Sequence, residues 1–381
     1  MRIAHIGGKG LPSRGGTERV IEALAVGQAR SHDVTVYGSA RVCATGDYQG
    51  VRVLALPVPR GRHLGPVWLD VAAAMHALFS PRYDVVHIHG AENAFVVPIL
   101  RLRSRVVSTN HGPAYERAKW GRIARALIRG AERGSVTNVD AATAVARSQA
   151  VALSERYGVE VRYIPNGVDD DIAPDTASAM KILADNGLEH GRYAMFAAAR
   201  VDPTKGCLTL IEAWRRLGCP APLLVVGDLW HARGHEEELR AAAQGMDVRF
   251  LPRIDGREVL AGLVAAADVF VFPSTVEAMS MMLLEVMSLS VPILSSDIAA
   301  NTDVLPDAAW TFVAGDPDDL ARAYRDLKAE PEGDVRARCL RRAESTRLDY
   351  SWDRIRQMYE SVYRGVLGMD DDHFEMRGSA R

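Results

Sequence analysis

The chain contains little cysteine and no long apolar run. Its four cysteines (Cys43, Cys207, Cys219 and Cys339) are scattered and form no CxxC pair. This spacing argues against a structural zinc site or a disulfide framework, and it favours a reducing compartment. No run approaches the roughly 18 apolar residues that a membrane span needs, and the first residues enter a strand at once. We therefore expect a cytoplasmic protein with neither a membrane span nor a signal peptide.

A dinucleotide-binding fingerprint and an internal repeat are also missing. The first glycine-rich loop, at 7–18, lacks the last glycine of GxGxxG. No ribose-binding acid stands clearly after a second strand, which argues against a dinucleotide dehydrogenase. No repeat with a period of 20–50 residues is evident. The length of 381 residues instead indicates two domains, because it exceeds one typical core.

The net charge is close to zero, but its distribution along the chain is uneven. Residues 1–168 carry 22 Lys and Arg against 12 Asp and Glu, whereas residues 169–381 carry 24 against 36. A basic half joined to an acidic half indicates different partners for each half. The basic half favours an anionic acceptor or surface, although a solvated face would account for part of the imbalance.

Apolar strand-like runs alternate with longer amphipathic stretches along most of the chain. This alternation is typical of parallel α/β sheets, in which ligands bind at the carboxyl ends of the strands. Turn formers at 163–169 interrupt the pattern, and a second α/β set follows. We therefore predict two Rossmann-like domains joined near residues 164–175. The predicted strands are 2–6, 33–37, 51–56, 84–89, 105–109 and 141–145 in the first set, and 193–198, 222–226, 248–251, 268–271 and 291–294 in the second.

Two glutamates eight residues apart carry the most chemical information. Glu277 lies in a predicted turn between a buried strand and an apolar helix, and Glu285 lies inside that helix. Free N–H groups at the start of a helix bind anions well. The order of acid, anion cradle and acid therefore suits a nucleotide-sugar. The alternative is a buried helix with one ordinary capping acid, because paired glutamates are common.

Two cations follow the first strand of the second set. Arg200 and Lys205 lie five residues apart in one loop. An arginine binds two phosphate oxygens in a fork and a lysine acts as a point charge, so together they can neutralise a diphosphate. Such charges would lower the barrier to glycosyl transfer, because the leaving group gains negative charge. A solvated loop is the alternative.

In the first half, glycines and histidines stand at the ends of predicted strands. Gly15 and Gly16 precede a predicted helix at 17–30, where they either let backbone N–H groups approach a ligand or form a tight turn. His111 ends a strand, although a lone histidine is usually structural. His87 and His89 share one strand face and could bind a metal, but no third ligand is evident nearby.

Together these motifs resemble those of the retaining glycosyltransferases of family 4, which have the GT-B architecture. The resemblance rests on the stretch from Glu277 to Glu285 with 291–297 after it, on the junction at 165–169, and on the order of the two domains. It extends to about Leu367.

This chain departs from the family pattern at three places. The family usually has a Gly-Phe-Gly-like stretch where this chain has Ala278, Met279 and Ser280. Ser290 stands where a glycine is usual, and 299–300 are alanines where a glycine pair is frequent. Both acids are retained.

The resemblance implies a reaction and the residues that perform it. A hexose-like sugar would pass from a nucleoside diphosphate sugar to a glycan, lipid-linked or small-molecule acceptor, with retention of anomeric configuration, in cell-surface polysaccharide or glycolipid synthesis. No metal or other cofactor would be required. The implied catalytic residues are Glu277, His111, Arg200 and Lys205. Donor binding would involve Gly15, Gly16, Arg200, Lys205, Ile254, Ala278, Met279, Ser280, Met281, Met282 and Glu285.

Each domain has a role by the same resemblance. Residues 1–168 would form a Rossmann-like acceptor domain and residues 169–350 a Rossmann-like donor domain, facing each other across a cleft. Glu285 would hold the ribose hydroxyls, and Glu277 would contact the donor sugar. A final helix at 351–367 would cross back onto the first domain. The polar residues 368–381 would form a flexible tail.

The most basic segment of the chain is 117–133. Its arginines at 122, 125, 129 and 133 recur at helical spacing and share one face. A basic amphipathic helix can lie on an anionic membrane, or it can dock its apolar side on the sheet and leave the basic side solvated. We predict peripheral contact with the inner face of the membrane and an anionic or lipid-linked acceptor. No nucleic-acid partner is expected.

Two other functions fit the same sequence. A sugar-nucleotide epimerase of similar architecture would need no acceptor, and a non-catalytic protein could bind the nucleotide-sugar without turnover.

The run Asp169, Asp170 and Asp171 could suggest a metal-binding DxD motif, but it lies in the predicted hinge.

Overall fold

The computed structural model describes residues 1–13, 15–59, 64–112, 122–169, 172–230, 234–305 and 310–369, with side chains for all of these except 64 and 122–128. The chain divides into two compact units. The first comprises Met1–Pro165 together with the chain from Trp352 onward, and the second comprises Asn166–Ser351.

The first unit is built on a largely parallel sheet. Its described strands are β1 (Arg2–Ile6), β2 (Asp33–Ser39), β3 (Gly46–Tyr48), β4 (Val51–Leu56), β5 (Val85–His89), β6 (Arg105–Asn110), β7 (Ala141–Ala144) and β8 (Val161–Tyr163). They lie in the order β3-β4-β2-β1-β5-β6-β7-β8. The short β3 is antiparallel to β4, and the other described pairs are parallel. The strand order reverses between β1 and β5, and open α/β sheets bind ligands outside the carboxyl ends of strands at such a point.

Helices join these strands. They are α1 (Gly16–Gln28), α2 (Leu64–Phe79), α3 (Val97–Leu100), α4 (Arg122–Thr137) and α5 (Arg147–Tyr157). A 3-10 turn at Ala91–Val96 precedes α3. The predicted helix at 17–30 is thus confirmed as α1, with slightly different ends.

The second unit repeats the plan with a sheet that is parallel throughout its described strands. These are β9 (Ala194–Arg200), β10 (Leu223–Asp228), β11 (Val248–Leu251), β12 (Val269–Phe272), β13 (Ile293–Ser296) and β14 (Thr311–Phe312). Their order, β11-β10-β9-β12-β13-β14, reverses between β9 and β12. The helices are α6 (Thr176–Asp185), α7 (Cys207–Arg216), α8 (His235–Ala242), α9 (Arg257–Ala265), α10 (Met281–Ser288), α11 (Ala299–Thr302), α12 (Pro317–Ala329) and α13 (Glu332–Asp349).

The core of each unit lies between its sheet and the covering helices. Strands of a parallel sheet are covered on both faces, so they are apolar along their length instead of alternating. Every residue of β12, Val-Phe-Val-Phe, is buried. Trp214 of α7 packs edge-on against Tyr324 of α12 with ring centroids 5.0 Å apart. These contacts hold the helices against the sheets.

The final helix, α14 (Trp352–Leu367), belongs to the first unit. Its side chains at Ile355, Tyr359 and Tyr363 recur at helical spacing and are all buried. They lie against α1 and β6 of the first unit. Tyr359 and Tyr363 therefore bring hydroxyl groups into the interior of the first sheet, where buried polar groups need partners.

The junctions between the units differ from the sequence prediction by a few residues. Asn166 and Val168, assigned to the first domain from the sequence, lie in the second unit, and so does Ser351. The Val168 N–H donates to the Tyr350 carbonyl at 2.7 Å, and Val168 forms a bridge with Ser351. These two hydrogen-bonded segments therefore both lie in the second unit.

The eleven predicted strands are confirmed, and three short ones were not predicted. β8 ends at Tyr163, which was interpreted as the first residue of a turn region, while β3 and β14 have three and two residues. All three lie at sheet edges, where a strand needs little apolar sequence. The predicted tail lies outside the described residues from 370 onward. Within the described part of the chain, none of the helices is long and apolar enough to cross a membrane.

Candidate functional site

The strongest candidate site in the second unit lies at the carboxyl ends of β9 and β12. These strands are neighbours, and the strand order reverses between them. The loop after β9 carries Lys205, and the loop after β12 carries Glu277. The sequence prediction that Glu277 lies in a turn and Glu285 inside the following helix is confirmed by the position of α10.

A glycine lets the two loops touch. Gly206 has φ +69°, and a Cβ at this position would lie 2.0 Å from the carbonyl oxygen of Pro273. Any larger residue would therefore clash with backbone in addition to adopting a disfavoured conformation. Next to this contact, the Thr275 N–H donates to the Thr204 carbonyl at 2.8 Å. The two loops are thus held together by direct backbone contacts.

Lys205 and Glu277 form an ion pair across these loops. The Lys205 Nζ lies 2.6 Å from the Glu277 Oε1, and the side chains are 25% and 12% exposed. The hydroxyl of Ser274 donates to the same oxygen at 3.0 Å. An ammonium group has three donors, so Lys205 can hold Glu277 and a further anion at the same time.

Arg200 does not join this pair. It is the last residue of β9 and is exposed, and the described residues offer it no ion-pair partner. Asp202, two residues on, caps the 3-10 turn that carries Lys205 by accepting from the Thr204 N–H at 3.0 Å. Lys205 is therefore fixed by the loop, whereas the guanidinium of Arg200 extends into solvent.

The predicted cradle, Ala278 to Met282, forms the approach to α10. Ser280 caps the helix by accepting from the Leu283 N–H at 3.3 Å. Met279 is buried, and its carbonyl accepts from the Asn166 side chain at 3.1 Å. The first N–H groups of α10 have no partners within the helix, as at any helix start. The geometry is that of an anion site, although anion binding itself remains a prediction.

Sequence reasoning missed Arg257, which pairs with Glu285. The Arg257 Nη2 lies 3.1 Å from the Glu285 Oε1 and also contacts a carboxylate oxygen of Asp169. Arg257 is the first residue of α9, where the helix dipole disfavours a cation. Burial lowers the pKa of its guanidinium, but the charges of Glu285 and Asp169 outweigh burial and raise it. A cation in an unfavourable helix position was the signal available in the sequence.

The Arg257–Glu285 pair also leaves one donor unsatisfied. The Arg257 Nε is buried and has no hydrogen-bond partner within the described residues. Ile254, predicted to bind the donor, is half-buried in the loop between β11 and α9, three residues before Arg257. Asp169 is the one member of the predicted DxD-like run that the structure describes.

In the first unit, the glycine loop after β1 is shaped by Gly7. Gly7 has φ +112°, and a Cβ there would lie 2.2 Å from the His89 carbonyl oxygen at the end of β5. Gly15 is the N-cap of α1 with φ −150°, which any residue adopts, and Gly16 begins the helix in open space. Close packing therefore requires glycine at 7, while the ligand role of Gly15 and Gly16 stays a prediction.

Four histidines gather beside this loop. His5 is buried on β1, and the sheet register pairs it with His87 of β5. The His5 Nδ1 lies 3.0 Å from the His89 Nε2, and the His89 Nδ1 lies 3.1 Å from the Nε2 of the half-buried His111. The expectation that no third imidazole lies near His87 and His89 was wrong, because β1 is the neighbour of β5.

The histidine cluster is tied together by hydrogen bonds. Ligand nitrogens of His5, His87 and His89 lie within 4.8 Å of one another, a spacing that a metal could use. Each ring nitrogen of these three is, however, already within hydrogen-bonding distance of another side chain. Burial lowers the pKa of His5 to about 4. Burial, followed by the charge of the neighbouring histidines, lowers the pKa of His87 and His89 well below the ordinary value.

His111 is the most accessible member of the cluster. It follows β6 next to Gly112, and burial lowers its pKa to about 4. The imidazole is therefore neutral at pH 7 and carries one proton. Its Nδ1 has no hydrogen-bond partner within the described residues, whereas its Nε2 faces His89.

The predicted basic helix is described in part. Residues 122–137 form α4, and Arg129 and Arg133 are exposed on it. The buried Glu132 between them accepts from Arg156 at 3.2 Å and from the Tyr157 hydroxyl at 2.9 Å. Residues 117–121 and the side chains at 122 and 125 lie outside the described residues.

Sequence profiles of two domain families match this chain. The profile described as Glycosyltransferase Family 4 matches residues 14–172, and the profile described as Glycosyl transferases group 1 matches residues 192–330. The matches fall on the two structural units in turn.

Among characterised proteins, the chain is similar to a phosphatidyl-myo-inositol mannosyltransferase of Mycobacterium leprae (strain TN). The two are 27% identical, over 96% of this chain and 97% of the mannosyltransferase. A D-inositol 3-phosphate glycosyltransferase of Nocardiopsis dassonvillei is 29% identical, over 83% of this chain and 80% of that enzyme.

Two solved structures show the same fold. Sucrose-phosphate synthase from Thermosynechococcus elongatus has a TM-score of 0.78 and 22% identity, covering 97% of this chain and 100% of that one. HepE of Anabaena in complex with UDP and glucose has a TM-score of 0.76 and 17% identity, covering 96% and 100%. Both cover the two units, which therefore have the GT-B fold. With consecutive profile matches and relatives aligned along nearly all of its length, the chain belongs to family 4 of the glycosyltransferases.

Proposed function

We propose that this glycosyltransferase transfers a hexose-like sugar from a nucleoside diphosphate sugar with retention of anomeric configuration. The observation that carries the proposal is the Lys205–Glu277 ion pair at the point where the strand order of the second sheet reverses. A cation and a carboxylate paired at such a point would contact a phosphate and a sugar, because sheets of this class bind nucleotides outside the carboxyl ends of their strands.

Lys205 is proposed to stabilise the leaving diphosphate. In the structure its ammonium lies 2.6 Å from the Glu277 Oε1. An ammonium has three N–H donors, so two others would bind phosphate oxygens. Negative charge grows on the diphosphate as the glycosidic bond breaks, so a fixed cation favours the transition state over the ground state. Arg200, exposed at the end of β9, would add a second cation once the phosphate is bound.

Glu277 and Glu285 are proposed to bind opposite ends of the donor. Glu277 precedes α10, so it would lie close to the sugar of a donor whose phosphate is bound at the helix start. Glu285 is one turn into α10 and is held by Arg257. Its carboxylate would accept from the ribose hydroxyls. The cations and backbone N–H groups would stabilise the negative charge of the leaving diphosphate, so we propose that no metal is required.

The acceptor is proposed to be an inositol phosphate group, free or in a lipid. Two relatives have names that specify inositol acceptors, phosphatidyl-myo-inositol in one case and D-inositol 3-phosphate in the other. Both acceptors carry a phosphate, which matches the excess of 22 Lys and Arg over 12 Asp and Glu in residues 1–168. Action at the inner face of the membrane would follow for the lipid form.

A donor screen followed by product analysis tests the proposal. The purified protein is incubated with UDP- and GDP-linked glucose and mannose, each with phosphatidylinositol or inositol 3-phosphate, in buffer containing EDTA. We expect one pair to give a product that keeps the anomeric configuration of the donor, read by NMR from the one-bond ¹³C–¹H coupling at the anomeric carbon, which distinguishes the anomers of both glucose and mannose. An inverted product would contradict the retaining mechanism, and loss of activity in EDTA would contradict metal independence. Formation of an epimer from the donor alone would instead identify an epimerase.

A further inference from the structure

The hydroxyl groups of Thr143 and Thr109 determine which atoms donate and which accept in the hydrogen bonds of the histidine cluster. The carbonyl oxygen of Ser108 can only accept, and the Thr143 hydroxyl donates to it at 3.1 Å. The Thr143 Oγ1 also lies 2.7 Å from the Thr109 Oγ1. A hydroxyl has a single proton, so Thr109 is the donor in this second bond. The proton of Thr109 is thereby committed to Thr143, and the Tyr359 hydroxyl, 3.1 Å from the Thr109 Oγ1, donates to Thr109.

This commitment determines the tautomer of His87. With its proton used, Thr109 can only accept from the His87 Nε2, which lies 2.6 Å away. His87 is neutral because it is buried, so a proton on Nε2 leaves a lone pair on Nδ1. The Tyr363 hydroxyl, 2.7 Å from that Nδ1, must therefore donate to it.

The same reasoning applies to Gln28, which bonds to both Tyr363 and His5. The Tyr363 oxygen, having donated its proton, accepts from the Gln28 Nε2 at 3.4 Å. The amide orientation follows, and the Gln28 Oε1 faces the His5 Nε2 at 2.9 Å. A carbonyl oxygen only accepts, so His5 carries its proton on Nε2 and has a lone pair on Nδ1.

Two identical steps then lead to His111. The His89 Nε2 donates to the His5 Nδ1 at 3.0 Å, so the His89 Nδ1 is left as an acceptor. The His111 Nε2 donates to that atom at 3.1 Å. The remaining ring nitrogen of His111, Nδ1, carries a lone pair.

We propose that this one-way hydrogen-bond chain, running from Ser108 through Thr143, Thr109, His87, Tyr363, Gln28, His5 and His89, holds His111 as the Nε2–H tautomer and presents its Nδ1 as a hydrogen-bond acceptor for a substrate hydroxyl. Tyr363, Gln28, His5 and His89 are positioning residues in this assignment. The role of the substrate rests on the proposed function, but the tautomer does not.

The tautomer decides which substrate group His111 can meet. A lone pair on Nδ1 accepts from a hydroxyl of a sugar or a polyol acceptor. The opposite tautomer would present an N–H donor, which suits an oxygen with no proton to give, such as a phosphate oxygen. Since α14 supplies Tyr363 and β1 supplies His5, the acceptor character of His111 depends on residues at the two ends of the chain.

The direct test is the tautomer of His111 in the full-length protein. Uniformly ¹⁵N-histidine-labelled protein at pH 7 is examined by long-range ¹H–¹⁵N correlation NMR, which distinguishes a protonated from an unprotonated ring nitrogen. A His111→Asn variant assigns the signal. We expect His5, His89 and His111 to be neutral and protonated on Nε2. A proton on the Nδ1 of His111, or two protons, would overturn the proposal. The measurement needs no substrate, so it stands apart from any failure to find sugar transfer.

A pair of tyrosine variants tests the chain as a positioning device. Tyr363→Phe removes the hydroxyl that orients Gln28, whereas Tyr37→Phe removes an equally buried hydroxyl that bonds to His76 at 3.0 Å outside the chain. Losing one such bond should mix the His111 tautomers and lower kcat about five- to tenfold at unchanged donor KM. Tyr37→Phe should change neither.

The variants are interpreted against their melting temperatures. Tyr363→Phe with the wild-type histidine spectrum and wild-type kcat would contradict the positioning role. An equal fall in kcat in both variants would likewise contradict it, because a general loss of packing would then be the cause. If Tyr363→Phe does not fold, the spectrum of the unaltered protein decides the matter.

Discussion

Removal of Lys205 should destabilise the protein because it leaves a half-buried carboxylate without its cation. The Lys205 Nζ and the Glu277 Oε1 are 2.6 Å apart, with 25% and 12% of the side chains exposed. At an effective dielectric constant of about 20, the Coulomb attraction at this distance is roughly 6 kcal/mol. Desolvation of both groups offsets much of it, so we expect a coupling free energy of about 1–3 kcal/mol.

A double-mutant cycle isolates this coupling. Lys205→Ala leaves Glu277 with the Ser274 hydroxyl as its described partner, and Glu277→Ala leaves the ammonium without its carboxylate. The stability losses of the two single variants should therefore add up to more than the loss of the double variant, and the difference is the coupling free energy. In a domain of this size, each kcal/mol lowers the melting temperature by about 2–4 °C.

The matched control is the exposed pair Lys181–Asp185. Its charged atoms are 3.0 Å apart on α6, but its side chains are 78% and 61% exposed. Such a pair should couple by about 0.3–0.5 kcal/mol. Differential scanning calorimetry of both cycles without ligand gives the comparison. If the Lys205–Glu277 coupling is no larger than that of the control, the reasoning from burial is refuted.

The same variants connect stability to turnover. Lys205→Ala should lower kcat about 10²–10³-fold, as expected for removal of a group that stabilises transition-state charge. Lys181→Ala should leave kcat unchanged, because Lys181 lies on the exposed face of α6. Unchanged kinetics in Lys205→Ala would contradict the assignment of Lys205 to the leaving group.

Three further predictions concern the donor, a buried acid and the membrane. Glu285→Ala should chiefly weaken binding of the free nucleoside diphosphate and Glu277→Ala should chiefly lower transfer, as measured by calorimetry and initial rates; the opposite pattern would reverse their roles. Burial, with the charge of Glu92 added, raises the pKa of Asp70 to about 7. Stability should therefore fall as pH rises from about 4 to about 7, and Asp70→Asn should be more stable than wild type at pH 8 by up to about 4 kcal/mol in chemical denaturation; equal stability would contradict the shift. Binding to anionic vesicles should be lost at high salt and weakened in an Arg129→Ala/Arg133→Ala variant, with about 1 kcal/mol per exposed cation; equally negligible co-sedimentation with neutral and anionic vesicles at low salt would favour a soluble acceptor.

Much of the candidate site in the second unit was predictable because its parts are local in sequence. A fully apolar strand followed by Pro273 and Ser274 marks a strand that ends at a loop, and the apolar run after Ser280 marks a helix. The carboxyl ends of parallel strands lie at one edge of a sheet, so the charged side chains in the loops after these strands lie at that edge. Glu277 and Lys205 were predicted from their positions after these strands together with the resemblance to family 4, without knowledge of their contact.

The partners of these residues were less predictable. The position of Arg257 at a helix start signals a nearby anion, but its partner Glu285 is 28 residues away in the sequence, and His5 was missed because it is 84 residues from His89. The amide of Gln28 meets Tyr363 across 335 residues. Contacts of this kind depend on which strands and helices are neighbours.

Local sequence patterns were enough to predict eleven of the fourteen described strands, the two-part α/β organisation, and the loops that carry the acids and cations. Periodicity and turn residues report the conformation of a short segment and the face that is buried, because they act over a few residues. The tertiary structure alone decided that Lys205 meets Glu277, that Arg257 holds Glu285, and that the histidines form one directed chain. Strand register and helix packing set these distances, and a hydrogen bond or ion pair exists only when two groups lie within about 3 Å.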